Sequence, residues 1–256
     1  MSVTMHGNVA DLAQDAMVFR TYLRGIKARL EPESFWYPYD TLSNFQHFEQ
    51  LLHGEHSGAL NGIRGLTIAD VGAGDGDLSF FFESLGNQVD IVDHAPTNFN
   101  GLRGAERLRE YLGSAVTVND VDLDSQFALP RPRYDVVFFL GILYHLKNPF
   151  FVMESLSRRA ATCFLSTKVM KFAGTPPVRL AGMPLAYLLA ADEANNDPTN
   201  FWVFTDDGLK RLLARSGWDV LAYTTVGNVL DSDPATSEGD ERAFCYLRSR
   251  RVAADR

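Results

Sequence analysis

The chain has little cysteine. Two in 256 residues, Cys163 and Cys245, both set in apolar runs ("TCFLS", "AFCYL"), exclude a disulfide scaffold. They predict buried, reduced thiols of a cytoplasmic protein. No apolar run approaches the roughly 18 residues of a membrane span. The opening stretch MSVTMHGNVADLAQD carries acids where a signal peptide carries a basic stub and an apolar segment, so no export signal or membrane partner is expected. Positive charge is also short: 24 Lys and Arg against 32 Asp and Glu give a formal charge of −8, which disfavours a nucleic-acid partner. There is no G-x-x-x-x-G-K-[ST], which excludes a phosphate-transferring P-loop. No cluster has metal-ligand spacing, so no metal is expected. No repeat or low-complexity tract is present.

What is present is a folded chain, 46% hydrophobic and 12% aromatic. Val9, Leu12, Ala13, Ala16, Phe19, Leu23 and Ile26 fall near helical spacing, and Pro32 stops that helix. An aromatic turn, SFWYPYD, and a second helical pattern through Leu42, Phe45, Phe48, Leu51 and Leu52 follow. These make residues 1–60 a helical cap. Strands and helices then alternate: strands at 66–71, 88–93, 115–121, 134–141 and 161–167, helices at 77–86, 101–113 and 148–160. That rhythm predicts parallel strands covered on both faces. Residues 168–204 break it with four prolines and read as a lid insertion. The helix 205–217 and the strands 219–226 and 242–250 close the chain, the last two as an antiparallel hairpin. The expected fold is α/β, a Rossmann-like sheet of seven strands, with domains at 1–60 and 61–256.

The stretch IADVGAGDGDLSFFFESLG sets three glycines, Gly72, Gly74 and Gly76, between a strand and a helix. Such a turn lets backbone approach a nucleotide beside a helix N-terminus. Asp93 ends the next strand, where a carboxylate accepts ribose hydroxyls. The spacing is G-x-G-x-G and not the dinucleotide G-x-G-x-x-G, and the acidic turn would repel a pyrophosphate. These residues resemble the class I S-adenosylmethionine (SAM) methyltransferases. The resemblance implies SAM as cofactor and S-adenosylhomocysteine (SAH) as product. Carried over by position, Asp70, Gly72 and Gly74 would line the methionine end of SAM and Asp93 its ribose. In NDVDLDS, Asp122 would meet the adenine amine and Leu123 its ring, or the three acids form a solvated loop. Leu140 and Gly141, in FFLGILYHLKNP, would face the cofactor.

The run from Gly141 to Pro149, with NNDPTNFWVFTDDGLKRLLARSGW further on, is similar to the branch containing the tRNA wobble-uridine carboxymethyl transferase and many sugar and natural-product methyltransferases. The acidic total, Leu146 and Lys147 after the Tyr144–His145 pair, and the short cap favour a small-molecule acceptor and ordinary SAM.

If the acceptor is a hydroxyl, a general base assists. His145 is the candidate, with a role capping the next helix as the bland alternative. His94 is expected to flank the adenosine; His6, His53 and His56 to be solvated; His47 is a substrate-side outsider. Trp36, Tyr37, Tyr144, Asn196, Asn200 and Trp202 are candidate substrate residues, the amides alternatively tying down their own loop. Lys168, Lys171 and Arg179 point to an anionic substrate or are simply solvated. The apolar lid leaves room for a homodimer. The rival functions are a wobble-uridine-type tRNA enzyme using SAM or carboxylated SAM, and a non-catalytic SAM-binding protein.

Overall fold

The computed structural model describes residues 9–235 and 239–252. His6 therefore lies outside the described residues. The chain divides into two compact units, one built from residues up to Asp122 with Ala128–Phe138, the other from Leu123–Phe127 with Phe139 onward.

The first unit begins with α1 (Val9–Leu30), which buries Leu12, Ala13, Ala16, Leu23 and Ile26 on one face. It stops where Pro32 disfavours helix in the residue before it. A short helix, α2 (Phe45–Leu51), follows. Strands β1 (Thr67–Val71), β2 (Gln88–Asp93) and β3 (Thr117–Asp120) are parallel, with Asp70 opposite Ile91 and Asp93 opposite Asp120. Strand β4 (Tyr134–Leu140) takes the other side of β1. Helix α3 (Asp77–Ser84) leaves the glycine turn and buries Leu78, Phe80, Phe81 and Phe82. Helix α4 (Arg103–Leu112) ends on the left-handed Gly113. The core between helices and sheet is aromatic: Phe82 stacks on Phe138 at 4.6 Å, and Phe45 meets Phe81 edge-on at 5.3 Å.

In the second unit, β5 (Ala160–Met170) runs antiparallel to β11 (Glu241–Ser249), which pairs antiparallel with β10 (Trp218–Gly227). Helices α5 (Pro149–Ser157) and α6 (Asp206–Arg215) pack here, joined by the fully buried Trp218, whose indole N–H donates to the Met153 carbonyl at 2.9 Å. The C-terminal antiparallel pair is as the sequence predicts. Beyond the seven strands expected, four short ones occupy the stretch read as a lid. They are the hairpin of β6 (Phe172–Ala173) and β7 (Val178–Arg179), then β8 (Ala186–Leu188) and β9 (Trp202–Thr205). Strand β9 lies parallel to β5 and antiparallel to β8. Strand β5 itself continues past Thr167 to Met170, so Lys168 belongs to the sheet and not to an insertion. Leu180, Leu189 and Ala194 of the connecting segment pack with Met170 and Val203 into a small core of their own.

Candidate functional site

In the first unit the glycine turn is shaped by backbone that only glycine adopts without strain: Gly72, Gly74 and Gly76 have φ of 71°, 61° and 82°. A Cβ on Gly74 would stand 2.7 Å from the Tyr37 ring, and one on Gly76 2.5 Å from Ile91 Cδ1. Tyr37 thus covers the turn, with Tyr39 and Phe99 edge-on around it at 5.5 and 6.2 Å. Trp36 is buried and turned away, its indole N–H donating to the Lys27 and Glu31 carbonyls.

The acids of the turn share one cation. Lys27 of α1 donates to Asp75 at 3.0 Å and to Asp77 at 2.9 Å. Asp75 also accepts the Tyr37 backbone N–H and the Asn100 amide. Burial lowers the affinity of Lys27 for its proton, but the Asp77 and Asp75 charges outweigh it and hold the ammonium above its ordinary value. One ammonium against two carboxylates leaves the turn with an excess of negative charge.

Asp70 is buried with the Ser79 hydroxyl donating to it at 2.7 Å, and burial pushes its carboxyl up to about 7. Asp93 closes β2. Its Oδ1 accepts the His94 N–H at 2.8 Å; its Oδ2 accepts the Gly74 N–H at 3.3 Å and the Asn98 amide at 2.9 Å. Burial raises this carboxyl too, against those three donors. Oδ1 keeps a lone pair for a ligand hydroxyl. A carboxylate with a spare lone pair next to a side-chain-free turn fits an adenosine-bearing cofactor. Asp122 is half-buried in the same unit, just past β3. Of its neighbouring acids, Asp120 accepts the Ala95 N–H.

The second unit holds the other candidates. Leu123 is buried, and Leu140 and Gly141 lie half-buried at the end of β4. A Cβ on Gly141 would meet Tyr144 Oη at 3.5 Å and Arg242 Nη1 at 3.7 Å. Arg242 donates to Tyr144 Oη at 3.3 Å and lies over its ring, as does Lys168 at 5.9 Å. Burial raises the Tyr144 phenol, against the pull of Arg242. Of the three cations expected to meet an anionic substrate, two are paired, Lys168 with Asp240 at 2.8 Å and Lys171 with Glu241 at 3.0 Å, and Arg179 is exposed on β7. The sequence gives no sign of either pairing, since about 70 residues separate the partners.

His145 sits in a single 3-10 turn, Leu143–His145. It does not cap α5. The backbone N–H groups of Lys147 and Asn148 ahead of that helix donate to Asp124 at 2.8 Å each. His145 Nδ1 instead lies 3.1 Å from the Thr199 carbonyl and 3.0 Å from Thr199 Oγ1. Burial lowers the imidazole's affinity for a proton, with Thr199 and Asp197 opposing and Arg242 and Lys168 reinforcing. The loop behind it is strained, with Ala194, Asn195 and Asn196 all left-handed at φ of 46°, 76° and 55°. Asn196 is exposed; Asn200 is buried and donates to the Ala194 carbonyl at 3.0 Å. Trp202 Nε1, Asn200 Oδ1 and Thr167 Oγ1 are buried without a partner among the described residues. No group of His, Cys, Asp or Glu able to hold a metal occurs among the described residues. No helix among them is long and apolar enough to cross a membrane.

Residues 69–162 match a family model described as a methyltransferase domain. That stretch is similar to a methyltransferase domain. The match runs from β1 through the start of β5, and so takes in the glycine turn, Asp93 and His145. A curated relative, the tRNA U34 carboxymethyltransferase of Alteromonas mediterranea, is 25% identical over 189 residues. That alignment covers 71% of this chain and 54% of the relative, so the chain spans about half the relative's length. Among solved structures, the N-terminal domain of EvdMO1 with SAH bound superposes with a TM-score of 0.57 at 18% identity, covering 90% of this chain and 97% of that one. The same domain in the presence of SAH and D-fucose gives 0.54 at 20%, covering 73% and 77%. Those likenesses show the α/β, Rossmann-like fold.

Proposed function

We propose that the chain transfers a methyl group from SAM to a hydroxyl of a small-molecule acceptor, a sugar or natural product. The observation that carries this reading is His145: Nδ1 is bonded to Thr199 and Nε2 makes no hydrogen bond among the described residues. A neutral imidazole with one free ring nitrogen is what a general base requires. SAM supplies, when bound, an electrophilic methyl carbon on a sulfonium. In the first unit Gly72 and Gly74 give it backbone access and Asp93 offers Oδ1 to a ribose hydroxyl, with Asp70 behind the turn. In the second unit Leu123, Leu140 and Gly141 are apolar or side-chain-free, and Tyr144, Asn200 and Trp202 offer polar atoms to an acceptor. The presence of D-fucose with the EvdMO1 domain supports a sugar-like acceptor. The buried free thiols of Cys163 and Cys245 suit a reducing, cytoplasmic setting.

A second reading, carboxymethyl or methyl transfer to a tRNA wobble uridine, is favoured by the curated relative. Calorimetric titration with SAM, SAH, carboxylated SAM and NAD separates the readings. The proposal expects SAM and SAH to bind in the micromolar range and Asp93→Ala to weaken both by roughly tenfold or more. A screen of glycans and phenolic natural products, read by SAH release, then seeks the acceptor. Preference for carboxylated SAM moves the assignment to the tRNA reaction, and binding of none of the four ligands overturns both.

A further inference from the structure

The hydrogen bonds around His145 form a chain with only one consistent direction. Asp197 Oδ1 accepts the Thr199 backbone N–H at 2.9 Å and lies 2.6 Å from Thr199 Oγ1. A carboxylate has no proton to give, so the hydroxyl donates to it. That hydroxyl then has only lone pairs left for His145 Nδ1, 3.0 Å away, and the Thr199 carbonyl at 3.1 Å is likewise acceptor-only. Nδ1 must carry the proton in the neutral ring, and Nε2 must carry the lone pair. We propose that Asp197 and Thr199 are positioning residues which commit His145 to the tautomer with Nε2 as base. This rests on the reading of His145 as the general base.

When Nε2 takes the proton of an acceptor hydroxyl, the ring becomes an imidazolium whose new charge is met through Thr199 by the Asp197 carboxylate. The carboxylate itself is held below its ordinary range: burial raises it, but the Thr199 hydroxyl and N–H, His145 and Lys168 outweigh that. The other groups facing the ring are Tyr144, with ring centroids 4.3 Å apart, and the cations Arg242 and Lys168, which both oppose protonation. The loop supports the geometry: the Asn200 N–H donates to the Asp197 carbonyl, and the Phe201 N–H to the Tyr144 carbonyl at 2.7 Å. His145 and Thr199 are thereby held from both sides.

The test is imidazole-15N NMR of the full chain at pH 8, His145 being assigned by its loss in His145→Gln. Wild type is expected to show a protonated Nδ1 and an unprotonated Nε2. Both Thr199 donors share Asp197 Oδ1, so in Asp197→Asn the amide oxygen accepts both and keeps the tautomer while the charge is lost. In Asp197→Ala both lose their acceptor, and the freed hydroxyl can donate to Nδ1. A lower imidazole pKa is expected in both variants and a measurable Nε2–H population in Asp197→Ala, while Thr199→Ser retains the wild-type pattern. On an acceptor found in the screen, Asp197→Asn should lower kcat about tenfold or more with KM little changed. A wild-type ring protonated on Nε2, or an Asp197→Ala variant with unaltered tautomer and pKa, overturns the proposal. If the tautomer behaves as expected but His145→Gln keeps full turnover, the base reading fails while the control of the tautomer stands.

Discussion

Asp70 shows what a single buried carboxyl does to the chain's response to pH. The Ser79 hydroxyl and backbone N–H favour its charged form, but burial outweighs them and raises its carboxyl to about 7. The folded chain therefore holds this proton more tightly than the unfolded one. The resulting stabilisation is complete below about pH 4, the ordinary value of an aspartate, and is lost as the pH rises toward 7. Asp70→Asn mimics the protonated form and can still accept from Ser79. Urea midpoints of ligand-free wild type and variant should nearly coincide at pH 5, and the variant should lead at pH 8; equal midpoints at both would place the carboxyl in a more polar setting than its burial indicates. Gly76 answers to geometry alone. With φ of 82° and Ile91 Cδ1 2.5 Å from an added Cβ, Gly76→Ala should cost about 1–3 kcal/mol in urea denaturation.

At the scale of elements, α1 and the glycine turn are joined by one cation. Lys27 is nearly buried between Asp75 and Asp77. Removing it leaves two carboxylates with little access to water. Lys27→Met should destabilise by roughly 3–5 kcal/mol. Asp77→Asn added to it should restore part of the loss, and additivity in the double-mutant cycle would show the residues to be uncoupled. Elements with strong periodicity were legible in the sequence: α1, β2 and the C-terminal hairpin lie within a residue or two of their expected ends. Strands β6 to β9 were not, because two to four residues amid prolines show no period and pair only through β5 or one another. The same holds for the site. Gly72, Gly74 and Asp93 lie in one local motif and can be read from spacing. Lys27 with Asp75, and His145 with Thr199, are 48 and 54 residues apart, and nothing local marks them as partners.

Over the whole molecule, the two proposed acceptor classes make opposite demands on charge. A tRNA is held chiefly through its phosphates, and the affinity of such complexes falls steeply with salt as counterions are released. This chain carries a formal charge of −8. Several cations of the second unit are matched locally: Lys168 by Asp240, Lys171 by Glu241, Arg248 and Arg250 by Asp219, and Arg251 by Glu154. A cation already facing a carboxylate gives up one ion pair to gain another, so these residues add little net attraction for a polyanion. Filter binding of unfractionated tRNA at about 0.1 M salt, where the screening length is roughly 10 Å, should show no retention. SAH, a zwitterion, should bind with nearly the same affinity between low and high salt. Retention of tRNA that weakens with salt would mean that these ion pairs open toward a phosphate backbone, and would return the wobble-uridine reaction to first place.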